Sequence, residues 1–271
     1  MPKRELNALI SQKIIVTSEL IILRVVPDSW KLPEFKAGQY TVLGLPGNTP
    51  RYFLSDLEGV APNPEKMILR AYSIASSSRR LQYLEFYITL VRSGELTPRI
   101  FALEPGDRIH LGNKITGMFT LDQVPVENHI ILMATGTGLA PYMSMIRSVL
   151  VPNDARQFAI LHGAWHSWDL GYRSELTTLD IMMNNFHYIP VIGAADKETI
   201  PWGGETGYVQ QAWERGIILE KWGFDPTPEN THVFLCGNPS MIEGALKMLS
   251  GLGFQEDNRQ QDGQIHLEKY W

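Results

Sequence analysis

The sequence predicts two domains, an antiparallel β-barrel followed by a parallel α/β domain, with the boundary near Pro125. Two different patterns of strand and helix signals along the chain lead to this prediction. The first part carries short strand signals with no helix between them, which is typical of a barrel or a sandwich. From His129 onwards, apolar strand signals alternate with helical patterns, which is typical of a parallel sheet covered on both faces. A length of 271 residues is sufficient for two ordinary domains.

The elements of the first part are β-prone segments bounded by turn residues. The strand predictions are Lys13–Leu23, Gly38–Leu45, Leu84–Val91 and Asp107–Leu111. Several prolines and glycines in Asn48–Pro64 predict a loop to which the sequence assigns no function. These elements place the first domain at residues 10–124.

The elements of the second part begin with the apolar run His129–Ala134, which ends in Thr135-Gly136-Thr137-Gly138 and leads into a helical pattern through Val149. Further strands are predicted at Gln157–His162, Tyr188–Ile192 and His232–Cys236, and further helices at Tyr172–Met183 and Pro239–Leu249. These elements place the second domain at residues 125–271.

The composition excludes several classes of protein. Hydrophobic residues make up 44% and charged residues 20%, as in a globular protein with a core. No apolar run reaches the ~18 residues of a membrane span. The polar N-terminus lacks the apolar centre of a secretory signal. A net charge of −5 argues against a nucleic-acid binder.

The single cysteine excludes an internal disulfide framework and favours a reducing cytoplasm. It also argues against a structural zinc or a cysteine-bound iron–sulfur site, because each needs several ligands. We therefore predict no metal.

Arg70-Ala71-Tyr72-Ser73 combines side chains suited to a flavin nucleotide. The arginine can grip a pyrophosphate, the tyrosine offers a flat ring for stacking on an isoalloxazine, and the serine hydroxyl can reach the flavin N5. An ordinary strand with one exposed arginine is the alternative. About twenty residues further on, Gly94 permits a tight turn, and Leu96-Thr97 then opens a helical segment whose N–H groups favour a phosphate. A plain turn capped by Thr97 is the alternative there.

The glycine-rich turn Thr135–Gly138 follows a strand and starts a helix, as in diphosphate-binding turns. It is not the standard dinucleotide fingerprint. Cys236-Gly237-Asn238-Pro239 ends another buried strand, where a thiol can pack against a nicotinamide ring, although a lone buried cysteine is more often simple core. Two aromatic residues end the chain, and we interpret them as stacking surfaces or as a packed terminal strand.

Taken in this order, R-A-Y-S, G-x-L-T-x-R, T-G-T-G-x-x-P, C-G-N-P and the terminal Y-W resemble the bacterial branch of the ferredoxin/flavodoxin–NADP reductase family, from about Gln12 to Trp271. The resemblance implies a Greek-key FAD-binding barrel and an NAD(P)-binding α/β domain whose C-terminal tail covers the flavin. It implies hydride transfer between NADH or NADPH and flavin N5, with single-electron steps to ferredoxin or flavodoxin.

The resemblance also implies roles for individual residues. FAD is held by Arg70, Ala71, Tyr72, Ser73, Tyr87, Glu95, Leu96 and Thr97. The nicotinamide nucleotide's diphosphate faces Gly136, Thr137 and Gly138, and Thr137 also touches the flavin side. Tyr72, Ser73, Cys236 near the nicotinamide and Glu268 for proton handling are the catalytic candidates. Tyr270 and Trp271 cover the flavin or stack on its adenine.

The chain departs from the family where NADP-specific members carry arginines for the 2′-phosphate. Trp165 follows His162-Gly163-Ala164, Ala195-Asp196 occupies the second position, and the third falls near Tyr208. We include Trp165 and Asp196 among the cofactor-binding candidates, because Asp196 can bind a ribose diol and repel a phosphate. These departures predict a slight preference for NADH, unless Lys197 and Arg173 compensate.

Three further predictions concern partners and alternatives. Arg79, Arg80, Arg92 and Arg99 are candidates for a basic docking rim facing an acidic carrier, or for a plain solvated surface. The missing arginines also allow a flavoprotein relay subunit of a larger complex with little reductase activity. A FAD-free binding module, or a dehydrogenase with an organic substrate, is a further alternative.

Overall fold

The structure is a computed structural model that describes residues 5–60, 62–258 and 260–269. Its described part divides into two compact units. The first unit holds the chain through Thr120 together with Ala140–Ser148. The second holds Leu121–Leu139 and the chain from Val149 onwards. The first unit therefore includes a helix that follows the first strand of the second unit in sequence.

The first unit is built mainly from short strands. They are β1 (Ala8–Thr17), β2 (Leu20–Pro27), β3 (Tyr40–Pro46), β4 (Met67–Ser73), β5 (Leu84–Thr89) and β6 (Arg108–Leu111). Its helices are α1 (Thr97–Ala102) and most of α2 (Ala140–Val149).

The strands of the first unit form an antiparallel sheet in the order β4-β3-β6-β1-β2-β5. β6 lies between β3 and β1, so the spatial order departs from the chain order as it does in Greek-key sheets. The backbone N–H of Ala75, just after β4, donates to the carbonyl of Glu85 in β5 at 2.7 Å. This bond joins the two ends of the sheet, so the unit is a barrel rather than a sandwich.

Alternation of side chains produces the barrel core. Ile21, Leu23 and Val25 point to one face of β2 and are almost fully buried, together with Phe86 of β5. Each such side chain contributes about 1.5–3 kcal/mol when it leaves water. The predicted strand Lys13–Leu23 is wrong in one respect, since it spans the β1–β2 hairpin. Its turn is fixed where the N–H of Glu19 donates to Thr17 Oγ1, inside an otherwise β-prone run.

The second unit is a parallel α/β domain. Its strands are β7 (His129–Thr135), β8 (Phe158–Ala164), β9 (Phe186–Ile192), β10 (Glu205–Thr206), β11 (Thr231–Cys236) and β12 (Ile265–Glu268). Its further helices are α3 (Arg173–Met182), α4 (Val209–Glu214), α5 (Ile217–Trp222) and α6 (Pro239–Gly251).

The strands of the second unit lie in the order β10-β9-β8-β7-β11-β12. This order determines where the topological switch point of the sheet lies. From β7 the chain adds β8, β9 and β10 on one side and then returns to add β11 and β12 on the other. The topological switch therefore lies between β7 and β11, where α/β sheets bind ligands at the carboxyl ends of their strands. Successive residues of β7 and β11 are buried on both faces, as their apolar runs predict.

Within the described ranges, no helix is both long and apolar enough to cross a bilayer.

Candidate functional site

An ion pair brings together two of the predicted flavin-binding segments. Arg70 and Ala71 are exposed on β4, opposite Leu43 and Val42 of β3. Arg70 Nη2 donates to Glu95 Oε2 at 2.6 Å, although the two residues are 25 positions apart. Both side chains are about half exposed, at 55% and 54%. Exposed pairs of this kind are worth little, so the contact with Glu95 does not hold the Arg70 side chain strongly.

The other residues of the R-A-Y-S strand are more covered. The Tyr72 ring meets Phe86 edge-on, with 6.5 Å between ring centroids. Burial raises the pKa of the Tyr72 phenol well above its usual value, so the side chain offers a neutral aromatic surface rather than an acid. Ser73 is 6% exposed and Tyr87 of β5 is 3% exposed.

The G-E-L-T segment forms a closed turn. The N–H of Gly94 donates to the carbonyl of Val91 at 2.8 Å, and Thr97 Oγ1 accepts from the N–H of Val91 at 2.9 Å. Leu96 is buried and occupies the position before α1, which has no side-chain cap. Thr97 therefore does not cap this helix, because its hydroxyl fixes the preceding turn instead, and the alternative of a plain structural turn stays open.

A buried ionic network beneath this turn was not predicted from the sequence. Arg99 is 2% exposed and binds Glu58 through two bonds, Nη1–Oε1 at 2.8 Å and Nη2–Oε2 at 2.9 Å. It also donates to the carbonyl of Glu95 at 2.6 Å. The assignment of Arg99 to a basic docking rim is therefore wrong. Its partner lies 41 positions away in a loop, which no local pattern reveals.

The loop predicted at Asn48–Pro64 supports the same turn. Arg51 Nη1 donates to Glu58 Oε1 and to the carbonyl of Gly94, both at 2.9 Å. Hydrogen bonds from Arg99 hold the pKa of Glu58 below its usual value, so this carboxylate stays ionised. The loop therefore anchors the segment that carries Glu95.

The second unit brings together the T-G-T-G and C-G-N-P segments at the switch point. The N–H of Asn238 donates to Thr135 Oγ1 at 2.7 Å. A Cβ on Gly138 would collide with the backbone of Cys236 and Gly237, and Gly237 has a φ of +138°. The two turns touch only because both positions lack a side chain. Gly136 and Thr137 are partly exposed on this edge.

A buried histidine of β8 lies close to the glycine turn. His162 of β8 has no exposed surface, and its Nδ1 lies 3.1 Å from the Tyr188 hydroxyl. Burial lowers the pKa of His162 to about 4, against the opposing effect of the Gly136 backbone. The ring is therefore neutral near pH 7. The H-x-A signal identifies the segment, but not the burial of this ring or its contact with Tyr188.

The remaining catalytic candidates lie at the same end of the sheet. Cys236 has no exposed surface, and Glu268 of β12 stands opposite it in register and is partly buried. Tyr270 and Trp271 lie outside the described residues. The proposed role of each of these residues stays a prediction.

Aromatic residues occupy the region in which family arginines were expected. Trp165 is 63% exposed, and its indole packs directly over Gly193. Asp196 is exposed in the short turn after β9, and Tyr208 is 57% exposed before α4. The guanidinium of Arg173 lies 4.7 Å above the Trp202 ring. Arg173, one of the two cations that could replace the missing family arginines, is therefore already engaged by an aromatic side chain.

Comparison with known proteins decides the family. The model of the oxidoreductase NAD-binding domain matches residues 132–247. The flavodoxin/ferredoxin–NADP reductase of Buchnera aphidicola is 30% identical over 89% of this chain and 89% of its own. This chain belongs to the flavodoxin/ferredoxin–NADP reductase family. The Escherichia coli reductase of the same name is 31% identical, over 77% of this chain and 76% of its own.

A solved structure of this reductase family has the same fold. The ferredoxin NADP⁺ reductase of Neisseria gonorrhoeae, with bound FAD and NADP, superposes with a TM-score of 0.79 at 23% identity, covering 98% of both chains. The predicted family, fold class and oxidoreductase activity are thereby confirmed. A more distant relative is one of the subunits of the Na⁺-translocating NADH-quinone reductase of Marinomonas, which is 26% identical over 84% of this chain and 61% of its own.

Proposed function

We propose that this reductase binds FAD and transfers electrons between a nicotinamide nucleotide and a one-electron carrier, ferredoxin or flavodoxin. The contact between Arg70 and Glu95 carries the proposal, because it holds an exposed cation on the R-A-Y-S strand beside the G-E-L-T turn. FAD, when bound, exchanges two electrons with a nicotinamide and one at a time with a carrier.

The residues of the first unit fit a flavin nucleotide. Arg70 presents an exposed planar donor set for the pyrophosphate, and Ala71 is small enough for the group to approach the strand. Tyr72 supplies a neutral ring for one flavin face. Leu96 and Thr97 hold the turn that presents Glu95, and Ser73 and Tyr87 complete the proposed flavin side of the site.

The residues of the second unit fit a dinucleotide. Gly136 and Thr137 leave backbone open to a diphosphate at the switch point, and the buried Gly138 lets the C-G-N-P turn approach them. We place Cys236 near the nicotinamide, Glu268 in proton handling, and Tyr270 and Trp271 over the flavin. Trp165 and Asp196 would meet the adenosine half, and the lack of an arginine at positions 165, 195 and 208 favours NADH slightly over NADPH.

A second function calls for a test because a relative is named as a subunit of a larger complex. This chain would then be a flavoprotein relay with little nicotinamide-dependent turnover of its own. Dye reduction by the isolated protein separates the two functions. Turnover of many equivalents with NADH supports the reductase, whereas a yellow protein without turnover supports the relay.

The decisive experiment is an anaerobic titration of the purified flavoprotein with NADH and NADPH side by side. We expect a flavin absorbance spectrum before addition and its bleaching by both nucleotides, at lower concentrations of NADH. A colourless protein that does not take up FAD would contradict the proposal.

We expect the protein to act in the cytoplasm.

A further inference from the structure

One carboxylate joins the two loops that face the adenosine half of the proposed nucleotide site. Ser167 follows β8, and Glu198 follows β9. In dinucleotide domains of this architecture, residues beyond the second strand distinguish a free ribose 2′-hydroxyl from a 2′-phosphate. Here the second strand is β8, so the loop that carries Ser167 is the one that makes this distinction.

The donors of that loop are already bound. Ser167 N–H donates to Glu198 Oε1 at 2.9 Å, and Ser167 Oγ donates to Glu198 Oε2 at 2.6 Å. Nδ1 of His166 lies 3.5 Å from the same Oε1. A hydroxyl and a backbone N–H that donate to two anionic oxygens form a donor pair that also suits a phosphate. The hydrogen bonds from Ser167 hold the pKa of Glu198 below its usual value, so its oxygens carry a negative charge.

Arg173 and Lys197 are the two cations that could substitute for the missing family arginines. The guanidinium of Arg173 is stacked on Trp202, and Lys197 is exposed next to the exposed Asp196. An incoming 2′-phosphate would meet a carboxylate that holds the donors it needs.

We propose that Glu198 acts as an internal anion that occupies the phosphate-recognising donors of the β8 loop and thereby excludes nucleotides with a 2′-phosphate. This inference rests on the proposed nicotinamide site. It assigns the choice between NADH and NADPH to a residue outside the three positions at which NADP-specific members carry arginine.

The test uses calorimetric titration of the FAD-loaded protein with 5′-AMP and with 2′,5′-ADP, which differ by the 2′-phosphate. The wild type is expected to bind 5′-AMP more tightly. In Glu198→Ala the ratio of the two dissociation constants should shift by about tenfold or more towards 2′,5′-ADP, because a charge is removed and charged hydrogen bonds become available. Glu198→Gln, which keeps the side-chain size, should shift it in the same direction.

Three controls make the result interpretable. Glu220→Ala removes an exposed carboxylate of α5 and should leave the ratio unchanged. The double variant Ser167→Ala/Glu198→Ala should lose part of the gain, because one donor is gone. Far-ultraviolet circular dichroism and flavin content report whether each variant is folded.

The outcomes separate the inference from the function on which it rests. An unchanged ratio in both folded Glu198 variants would overturn the inference alone. Tighter binding of 2′,5′-ADP by the wild type would overturn both the inference and the NADH preference. Binding of neither nucleotide by a flavin-loaded wild type would overturn the nicotinamide site and the inference together.

Discussion

The guanidinium of Arg99 and the carboxylate of Glu58 are joined by two hydrogen bonds of 2.8 and 2.9 Å inside the barrel unit. Glu58→Ala would leave a buried guanidinium without its ion partner. Loss of one partner from a fully buried pair costs about 3–5 kcal/mol, and because Glu58 is partly exposed we expect a decrease in the free energy of unfolding that lies below this range. Urea denaturation followed by fluorescence measures it.

Two further measurements check this prediction. Glu65→Ala changes an exposed carboxylate near the same loop and should have a small effect. The pKa of Glu58 is lowered in the folded state. Its contribution to the free energy of unfolding is therefore present above the pKa of the unfolded state and is lost as pH falls through the pKa of the folded state. If Glu58→Ala is as stable as the wild type, the stabilising role of the ion pair is contradicted.

The flavin site is tested by Arg70→Ala. Since Arg70 is half exposed and paired only at the surface, its removal should spare folding but weaken FAD binding by about tenfold or more, which is the effect of losing one charged hydrogen bond to a phosphate. Flavin released on dilution measures the affinity. Arg80→Ala, an exposed arginine outside the R-A-Y-S strand, is the matched control. Equal FAD retention in the two variants would remove Arg70 from the site.

The switch point is tested by Gly138→Ala. The new Cβ would collide with the backbone of Cys236, so the T-G-T-G and C-G-N-P turns must separate. We expect nicotinamide nucleotide affinity to fall about tenfold or more, with FAD still bound, in fluorescence titrations with NADH. Gly251→Ala, where a Cβ meets open space at the end of α6, should bind NADH normally.

The carrier surface is tested by Arg79→Glu/Arg80→Glu. Both arginines are exposed, whereas Arg92 is paired with Glu19 and Arg99 is buried. If an acidic carrier docks here, its reduction at low salt should slow about tenfold while dye reduction is unchanged, and added salt should narrow the difference. Unchanged carrier kinetics at low ionic strength would argue for a plain solvated surface.

The sequence was informative where a physical pattern is local. Apolar runs predicted the buried strands β7, β8 and β11, and glycines marked the turns that meet at the switch point. Short elements such as α4, α5 and β10 escaped prediction because they complete too few turns or residues to show a period. Pairs such as Arg99–Glu58 and Ser167–Glu198 escaped because their members are joined only by the fold.

The buried His162 makes a prediction about acid sensitivity. Its pKa is lowered to about 4 in the folded state, so the unfolded chain binds a proton more readily between about pH 6.5 and pH 4. Stability should therefore be unaffected by this group above about pH 6.5 and fall by up to about 1.4 kcal/mol per pH unit below it. Urea denaturation of wild type and His162→Gln at pH 7, 6 and 5 measures the slope.

His162→Gln keeps a side chain that can bind the Tyr188 hydroxyl but cannot gain the proton. We expect the variant to be somewhat less stable at pH 7 and to lose less stability on acidification, so that the two curves converge. His110→Gln changes a partly exposed histidine of the barrel unit and should leave the wild-type slope in place. His232, whose pKa burial also lowers to about 4, accounts for part of the remaining slope. Parallel curves for wild type and His162→Gln would show that His162 does not contribute to the acid sensitivity of the fold.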